Sequence, residues 1–210
     1  TFRIRESRRT RSWKVLIAES EIQAAEETMD KQDNRLHNIL GGEPLHALVN
    51  NAAISPKGTG GARLGSVDTE LATWQQVFQV NFFAPIMLAR GLIDELAAAK
   101  GSVVNVTSIA GSRVHPFAGS AYSTSKAALA ALTREMAADF GRRGVRVNAI
   151  APGEIDTSIL SPGTDKIVAQ IPMQRLGTPD EVAKIIYVLC TDTSSYVNGA
   201  EIHINGGQHV

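Results

Sequence analysis

The sequence predicts an α/β protein built on a doubly wound, mostly parallel sheet in three layers. Short apolar runs recur at Trp13–Ala18, 45–53, 101–107, 144–151 and 200–204, each suited to a buried strand. Segments with apolar residues at helical spacing lie between them, so strands and helices alternate. No internal repeat, low-complexity tract or linker interrupts that alternation, and the 210 residues read as a single domain in which 1–40 is atypical.

In chain order, residues 1–12 carry five arginines without interleaved aromatics and read as a solvated terminus rather than a nucleic-acid arm. Trp13–Ala18 is the first strand. Residues 20–40 form a helix with a stripe of Ile22, Ala25, Met29, Leu36 and Ile39 or Leu40, stopped by Gly41-Gly42. The 45–53 strand ends in Asn50-Asn51-Ala52-Ala53. Four glycines at 58, 60, 61 and 65 follow, but their spacing fails the phosphate-loop pattern, so 56–65 is a connection. Residues 68–99 are helical, capped by Asp68 and kinked or split at Pro85. The 101–107 strand leads to Ser108. The 121–140 helix carries Leu129, Leu132, Met136 and Phe140 on one face. The 144–151 strand ends in Pro152-Gly153. A loop over 154–176 holds a short helix at 164–170 and apolar Ile159, Leu160, Ile167, Ile171, Pro172 and Met173, which suggest a partly apolar substrate. Thr178-Pro-Asp-Glu181 is a capping box with proline at the first helical position, opening a helix to Cys190.

Tyr122 and Lys126 lie four apart, hence on one helix face. Alone, such a pair is an ordinary surface pair. Here Ser108 ends the strand that feeds the same helix, so a hydroxyl, a phenol and an ammonium converge at the carboxyl edge of a parallel sheet, where open α/β folds bind ligands. The ammonium is expected to favour the phenolate and lower the tyrosine pKa.

Bulk properties narrow the function. Lys+Arg and Asp+Glu both number 21, which gives no electrostatic case for nucleic acid or an anionic membrane. Cys190, the single cysteine, sits in an apolar helical run and reads as core, in keeping with a reducing, cytoplasmic setting. No apolar run approaches the ~18 residues of a membrane span, and no signal peptide is visible. The five histidines form no H-E-x-x-H and no Cys/His cluster, so no metal site is expected. Ser123-Thr-Ser-Lys126 fits S-x-x-K, but the companion K-T-G and S-D-N motifs are absent.

Seven motifs stand in order: Asn50-Asn-Ala-Ala53, Asn81 in Val-Asn-Phe-Phe, Ser108 in Asn-Val-Thr-Ser-Ile-Ala-Gly, Tyr122-x-x-x-Lys126, Pro152-Gly-Glu-Ile-Asp-Thr157, Arg175-Leu-Gly-Thr-Pro-Asp-Glu-Val-Ala183 and Asn205-Gly-Gly207. With them the chain resembles the short-chain dehydrogenase/reductase family, of the three-oxoacyl-carrier-protein-reductase-like type, over roughly residues 40–210. The resemblance implies a Rossmann-like fold and an NAD- or NADP-dependent oxidoreductase acting on a carbonyl/alcohol pair. It implies that Tyr122 is the general acid/base, that Lys126 tunes it and binds the nicotinamide ribose, and that Ser108 holds the substrate oxygen. Asn81 would interrupt its helix and hold a water linking Lys126 to solvent. Asn50, Ala52 and Ala53 would run beneath the adenosine side of the cofactor, and Pro152, Gly153, Ile155 and Thr157 would line its nicotinamide and pyrophosphate. The resemblance further implies a homodimer or homotetramer paired through the helices at 68–99 and 121–140. The alternative is a non-catalytic Rossmann-like binding protein with an impaired cofactor site.

The family opens with a Gly-rich turn that takes the pyrophosphate, whereas no glycine precedes Gly41 here. Trp13–Ala18 is expected to occupy the slot beside the 45–51 strand, followed by an acidic Glu19-Ser-Glu21 turn that repels a pyrophosphate. Calorimetric titration of this chain with NAD and with NADP is therefore expected to give affinities weaker than micromolar; micromolar binding would show the Gly-rich turn to be dispensable.

Overall fold

A computed structural model of the chain describes residues 2–7, 13–18, 40–157 and 165–210. A six-stranded sheet lies at its centre, in chain order: β1 (Phe2–Ser7), β2 (Trp13–Ala18), β3 (Ala47–Asn50), β4 (Ser102–Val106), β5 (Arg146–Pro152) and β6 (Glu201–Ile204). Strands β2 to β6 are parallel. Strand β1 is antiparallel to β2, with Phe2 opposite Ala18 and Ser7 opposite Trp13. This corrects the reading of 1–12 as a solvated terminus: Phe2–Ser7 pairs with β2 and covers its otherwise open edge. Strand β2 does take the slot beside β3, with Val15 opposite Ala47 and Ala18 opposite Asn50. The 19–21 turn and the 20–39 helix lie outside the described residues. The expected stop is present: Gly41 and Gly42 follow Leu40 with φ of 61° and 73°.

Both sheet faces are covered, which is why the strands are continuously apolar rather than alternating. On one face Leu16, Leu48, Val103 and Val147 pack with Leu88, Leu92, Leu96 and Met136. These come from helices α2 (Ala84–Gly91), α3 (Ile93–Ala99) and α4 (Ser120–Gly141), with Leu92 at the joint of α2 and α3. On the other face Ala47, Val49, Val104 and Ile150 pack with Leu189 and Cys190 of the 179–190 helix. The result is the expected three-layer Rossmann-like arrangement.

Helix α1 (Leu71–Phe78) begins after Glu70, so Asp68 is not its cap. A π-turn, Gln79–Phe83, joins α1 to α2. Pro85 stands in the first turn of α2 and has no N–H to give Asn81 in the α-helical pattern. The chain widens just before it, with the Ala84 N–H bonding Gln79 O. The break expected at Pro85 is thus a π-turn upstream of it, and a second break falls at Leu92. After the short α5 (Asp165–Val168), α6 (Pro179–Cys190) opens with the expected capping box between Thr178 and Glu181. Its carboxyl end is held by the Arg146 guanidinium, which donates to Leu189 O and Thr191 O.

Helix α4 is tied to the sheet by a buried polar ladder. Asn50 Nδ2 donates to Asn105 Oδ1 at 2.8 Å, Asn105 Nδ2 to Thr133 Oγ1 at 2.9 Å, and Thr133 Oγ1 to Leu129 O at 2.8 Å. Asn105 is fully buried, so its removal strands a donor on Asn50 and an acceptor on Thr133. Asn105→Val is expected to cost about 2–4 kcal/mol in urea unfolding with an unchanged m-value; a loss under ~1 kcal/mol would show the ladder to be energetically idle.

Candidate active site

Strand β4 delivers Ser108 at its carboxyl end, where Ser108 caps a 3₁₀ turn, Ile109–Gly111, by accepting from Ala110 N at 3.1 Å. The chain then returns as α4. A Cβ on Gly111 would lie 2.9 Å from Ala127 N and 3.0 Å from the Lys126 carbonyl carbon, so only glycine lets the turn sit this close to the helix. That contact brings the turn after Ser108 against the helix of Tyr122 and Lys126, with the Ser108 hydroxyl close enough to the phenol to lower its pKa.

Lys126 is 1% exposed. Its Nζ donates to Val106 O at 2.6 Å and stands 5.8 Å from the Tyr122 ring centre. Burial pulls its pKa down to about 7. The phenol of half-buried Tyr122 is raised from its ordinary value, first by burial and further by the Glu154 charge, against the lowering effect of the Ser108 hydrogen bond. This corrects the expectation that the lysine lowers the tyrosine pKa in this state. The ammonium is turned to a main-chain carbonyl and is itself stripped of water, so burial dominates.

Asn81, fully buried on the π-turn, holds Ile54 at both main-chain groups: Oδ1 accepts from Ile54 N at 2.8 Å and Nδ2 donates to Ile54 O at 3.0 Å. The same Nδ2 reaches Ser125 Oγ at 3.0 Å, and Ser125 donates to Tyr122 O at 2.7 Å. Asn81 therefore links the segment after β3 to the first turns of α4.

The other predicted positions fall along the same carboxyl edge. Asn50 is buried; its Nδ2 donates to Asn105, while its Oδ1 is buried without a hydrogen-bond partner among the described residues. Ala52 is buried and Ala53 half-buried, leaving small side chains there. Pro152 ends β5. A Cβ on Gly153 would meet Gln208 Oε1 at 2.3 Å and Asn205 Cβ at 2.6 Å, so the tail packs against bare backbone. Ile155 bridges Gly177, with Asp156 N donating to Gly177 O at 2.8 Å, and Thr157 is exposed. Ile159 and Leu160 lie outside the described residues, whereas Ile167 and Ile171 are buried in the fold and do not line an open pocket.

Sequence reasoning missed one pair at this edge. His115 Nε2 lies 2.6 Å from Glu154 Oε1, and both side chains are 12% exposed. The two residues are 39 positions apart and neither forms a motif, so no sequence signal joined them. Among the described residues no group of three or more His, Cys, Asp or Glu could hold a metal. Cys190 is buried, and burial pushes its thiol up to about 12, which makes it core rather than nucleophile.

The depressed lysine pKa sets a pH signature. The folded state prefers Lys126 neutral, and its folded value is below the unfolded one. Its contribution to stability is full above the unfolded value of 10.5 and is lost as pH falls to about 7. Lys126→Met removes that dependence. Relative to the parent, the variant is expected to gain up to about 4 kcal/mol on going from pH 10 to pH 6. Urea unfolding at the two pH values checks this, and a pH-independent difference would contradict it.

The family model described as enoyl-(acyl carrier protein) reductase matches residues 23–209. Protein FixR of Bradyrhizobium diazoefficiens is 66% identical over 172 residues, 81% of this chain and 62% of FixR; the chain thus spans less than two thirds of that relative. The 3-oxoacyl-[acyl-carrier-protein] reductase FabG of Aquifex aeolicus is 32% identical over 192 residues, 87% of this chain and 72% of that protein. A crystal structure of a Brucella ovis oxidoreductase of the short-chain dehydrogenase/reductase family, in complex with a partially ordered NAD, superposes with a TM-score of 0.71 at 63% identity, covering 84% of this chain and 73% of that one. By the family match, these identities and the fold, the chain belongs to the short-chain dehydrogenase/reductase family.

Proposed function

We propose that this chain carries the catalytic machinery of an NAD- or NADP-dependent oxidoreductase that interconverts a ketone or aldehyde and an alcohol by hydride transfer. One observation supports the reading most directly: a fully buried Lys126 whose Nζ stands 5.8 Å from the Tyr122 ring, with Ser108 beside them at the carboxyl edge of the sheet. Burying a lysine is costly, and a buried, perturbed ionisable group at a ligand-binding sheet edge points to a functional site.

The residues fit the nicotinamide half of a dinucleotide. Lys126 has three N–H donors and spends one on Val106 O, which leaves donors for ribose hydroxyls. The small Ala52 and Ala53 leave room at the end of β3. The dinucleotide supplies or accepts the hydride. In reduction, Tyr122 gives its proton to the substrate oxygen while Ser108 donates a hydrogen bond to the same atom and fixes its position. The raised phenol pKa keeps Tyr122 protonated, as an acid for that step. In oxidation Tyr122 takes the proton back, and a protonated Lys126 stabilises the phenolate. Asn81 acts at one remove, holding Ile54 and Ser125 so that the start of α4 keeps its place.

Exposed Leu71 and Phe83, at 71% and 46%, put apolar surface on α1 and the π-turn, which supports a homo-oligomer through this helical region. No helix among the described residues is long and apolar enough to cross a membrane, in keeping with a cytoplasmic site of action.

Assaying ketones and secondary alcohols with each cofactor tests the reading. Tyr122→Phe is expected to lower kcat by roughly 10²–10⁴-fold with the fold intact by circular dichroism. Equal, Tyr122-independent rates, or binding without turnover, would favour the non-catalytic binding protein.

A further inference from the structure

The closing Asn205-Gly206-Gly207 motif has no part in the chemistry above, yet it shapes the edge on which that chemistry sits. Asn205 is buried, and its Oδ1 accepts from Gly207 N at 3.1 Å and from His209 Nδ1 at 2.9 Å. Gly206 and Gly207 have φ of 61° and 91°, which turns the chain back on itself after β6. The turn is packed from outside: a Cβ on Gly206 would meet Ile171 Cγ2 at 2.8 Å, and Met173 N donates to Gly206 O at 3.2 Å. It delivers Gln208, 7% exposed, to two segments at once. The last bond from β5 to β6 runs from Gly153 N to Ile204 O at 3.0 Å, and the next amide, Glu154 N, donates to the Gln208 side-chain oxygen at 3.3 Å. The missing Cβ of Gly153 is what admits Gln208 and Asn205 there. On its other side, the Gln208 main-chain carbonyl accepts from the Arg113 guanidinium. Arg113 N donates to Ile109 O at 3.3 Å, in the turn that Ser108 caps. The His115–Glu154 pair joins the same two segments farther along the loop; the Arg113–Gln208 link lies nearer to Ser108.

We infer that Gln208 is a positioning residue for hydride transfer: it bridges the Ser108 turn to the segment after β5 and so fixes how the substrate stands against the nicotinamide. The inference rests on the oxidoreductase reading above, in which Ser108 holds the substrate oxygen and the segment after β5 lies along the nicotinamide. The spacing of those two segments then sets the approach of the hydride to the carbonyl carbon, where a misplacement of about 1 Å is costly. Gln208 touches neither reacting group and acts through Glu154 N and Arg113. A tail that only closed the fold would change stability and the share of folded molecules. A tail that spaces the two segments changes the rate of molecules that are folded and loaded.

Gln208→Met keeps the length of the side chain and removes the acceptor for Glu154 N. Arg113→Met cuts the other end of the bridge, and Arg113→Lys keeps a donor for Gln208 O. Each is made in the full chain and assayed with the ketone or alcohol that the parent turns over fastest. The two Met variants are each expected to lower kcat ~10-fold while the KM values for substrate and cofactor stay within ~3-fold. The isotope effect on kcat, read with cofactor deuterated at the transferred hydrogen, is expected to rise. Arg113→Lys is expected to stay near the parent, and the double Met variant to lose little beyond the worse single one, because both break one bridge. In the cofactor-free chain, amide exchange is expected to quicken in peptides covering 109–113 and 153–155 alike. An unchanged kcat, an unchanged isotope effect, or exchange that quickens at the tail alone overturns the inference, and Tyr122-dependent turnover then leaves the oxidoreductase reading standing. If Gln208→Met does not fold by circular dichroism, Arg113→Met, at an exposed residue, decides by the same criteria. Absence of turnover in the parent also overturns the inference. Fluorescence titration with NADH and NADPH then decides the larger reading, which falls only if binding is absent as well.

Discussion

Helix α4 can serve a site only if it lies against the carboxyl end of β4 without a side chain between them, and Gly111 is where that constraint is met. With backbone on backbone at this point, the Ser108 turn and the Tyr122–Lys126 turn share one space. A methyl group there would have to push the helix off by a few tenths of an ångström or more. The Lys126–Val106 hydrogen bond spans that gap, and Ser108 faces Tyr122 across it. Positional errors on that scale are large for groups that must hold one oxygen atom between them.

Two polar networks keep the contact in place, one beneath the site and one beside it. The Asn50–Asn105–Thr133 ladder fixes α4 to two neighbouring strands at its middle. Asn81, through Ser125, fixes the helix near its start. The π-turn that presents Asn81 follows from an ordinary rule: Pro85 has no N–H to give, and the chain widens just upstream of it. Part of the site's geometry is thus written by a residue that does not touch it.

Much of this was legible in the sequence because the signals are local. Strand runs, the Thr178–Glu181 capping box, the helix spacing that puts Tyr122 and Lys126 on one face, and the motif order each depend on residues close together in the chain. What was missed depends on partners far apart. Phe2-Arg-Ile-Arg has the alternation of a strand, but its pairing with β2 is a tertiary fact, and five arginines masked the period. Asn50 was assigned to the cofactor because strand-end asparagines deliver polar groups to that edge. Its Nδ2 is also tied to Asn105, 55 positions away, a contact that no local signal announces, while its Oδ1 keeps no partner among the described residues. The apolar residues of 154–176, which suggested a partly apolar substrate, divide: Ile167 and Ile171 are spent on the core, whereas Met173 is exposed beside the cavity that Glu154 lines. The His115–Glu154 pair has no local signature at all.

The electrostatics of the site pull in opposed directions. Burial raises Tyr122 and depresses Lys126, so in this state both side chains lean toward their neutral forms. A neutral phenol is an acid in waiting; a neutral lysine gives a phenolate no help. Oxidation of an alcohol needs the second group charged, and that requires something to repay the desolvation of Nζ. The Val106 carbonyl supplies one acceptor, and ribose hydroxyls would supply others. On this argument cofactor binding and lysine protonation are linked: whatever accepts from Nζ raises the fraction of Lys126 that is charged near pH 7, and the charge in turn readies Tyr122. The buried lysine, costly to stability on its own, is thus the group whose charge a bound dinucleotide would control.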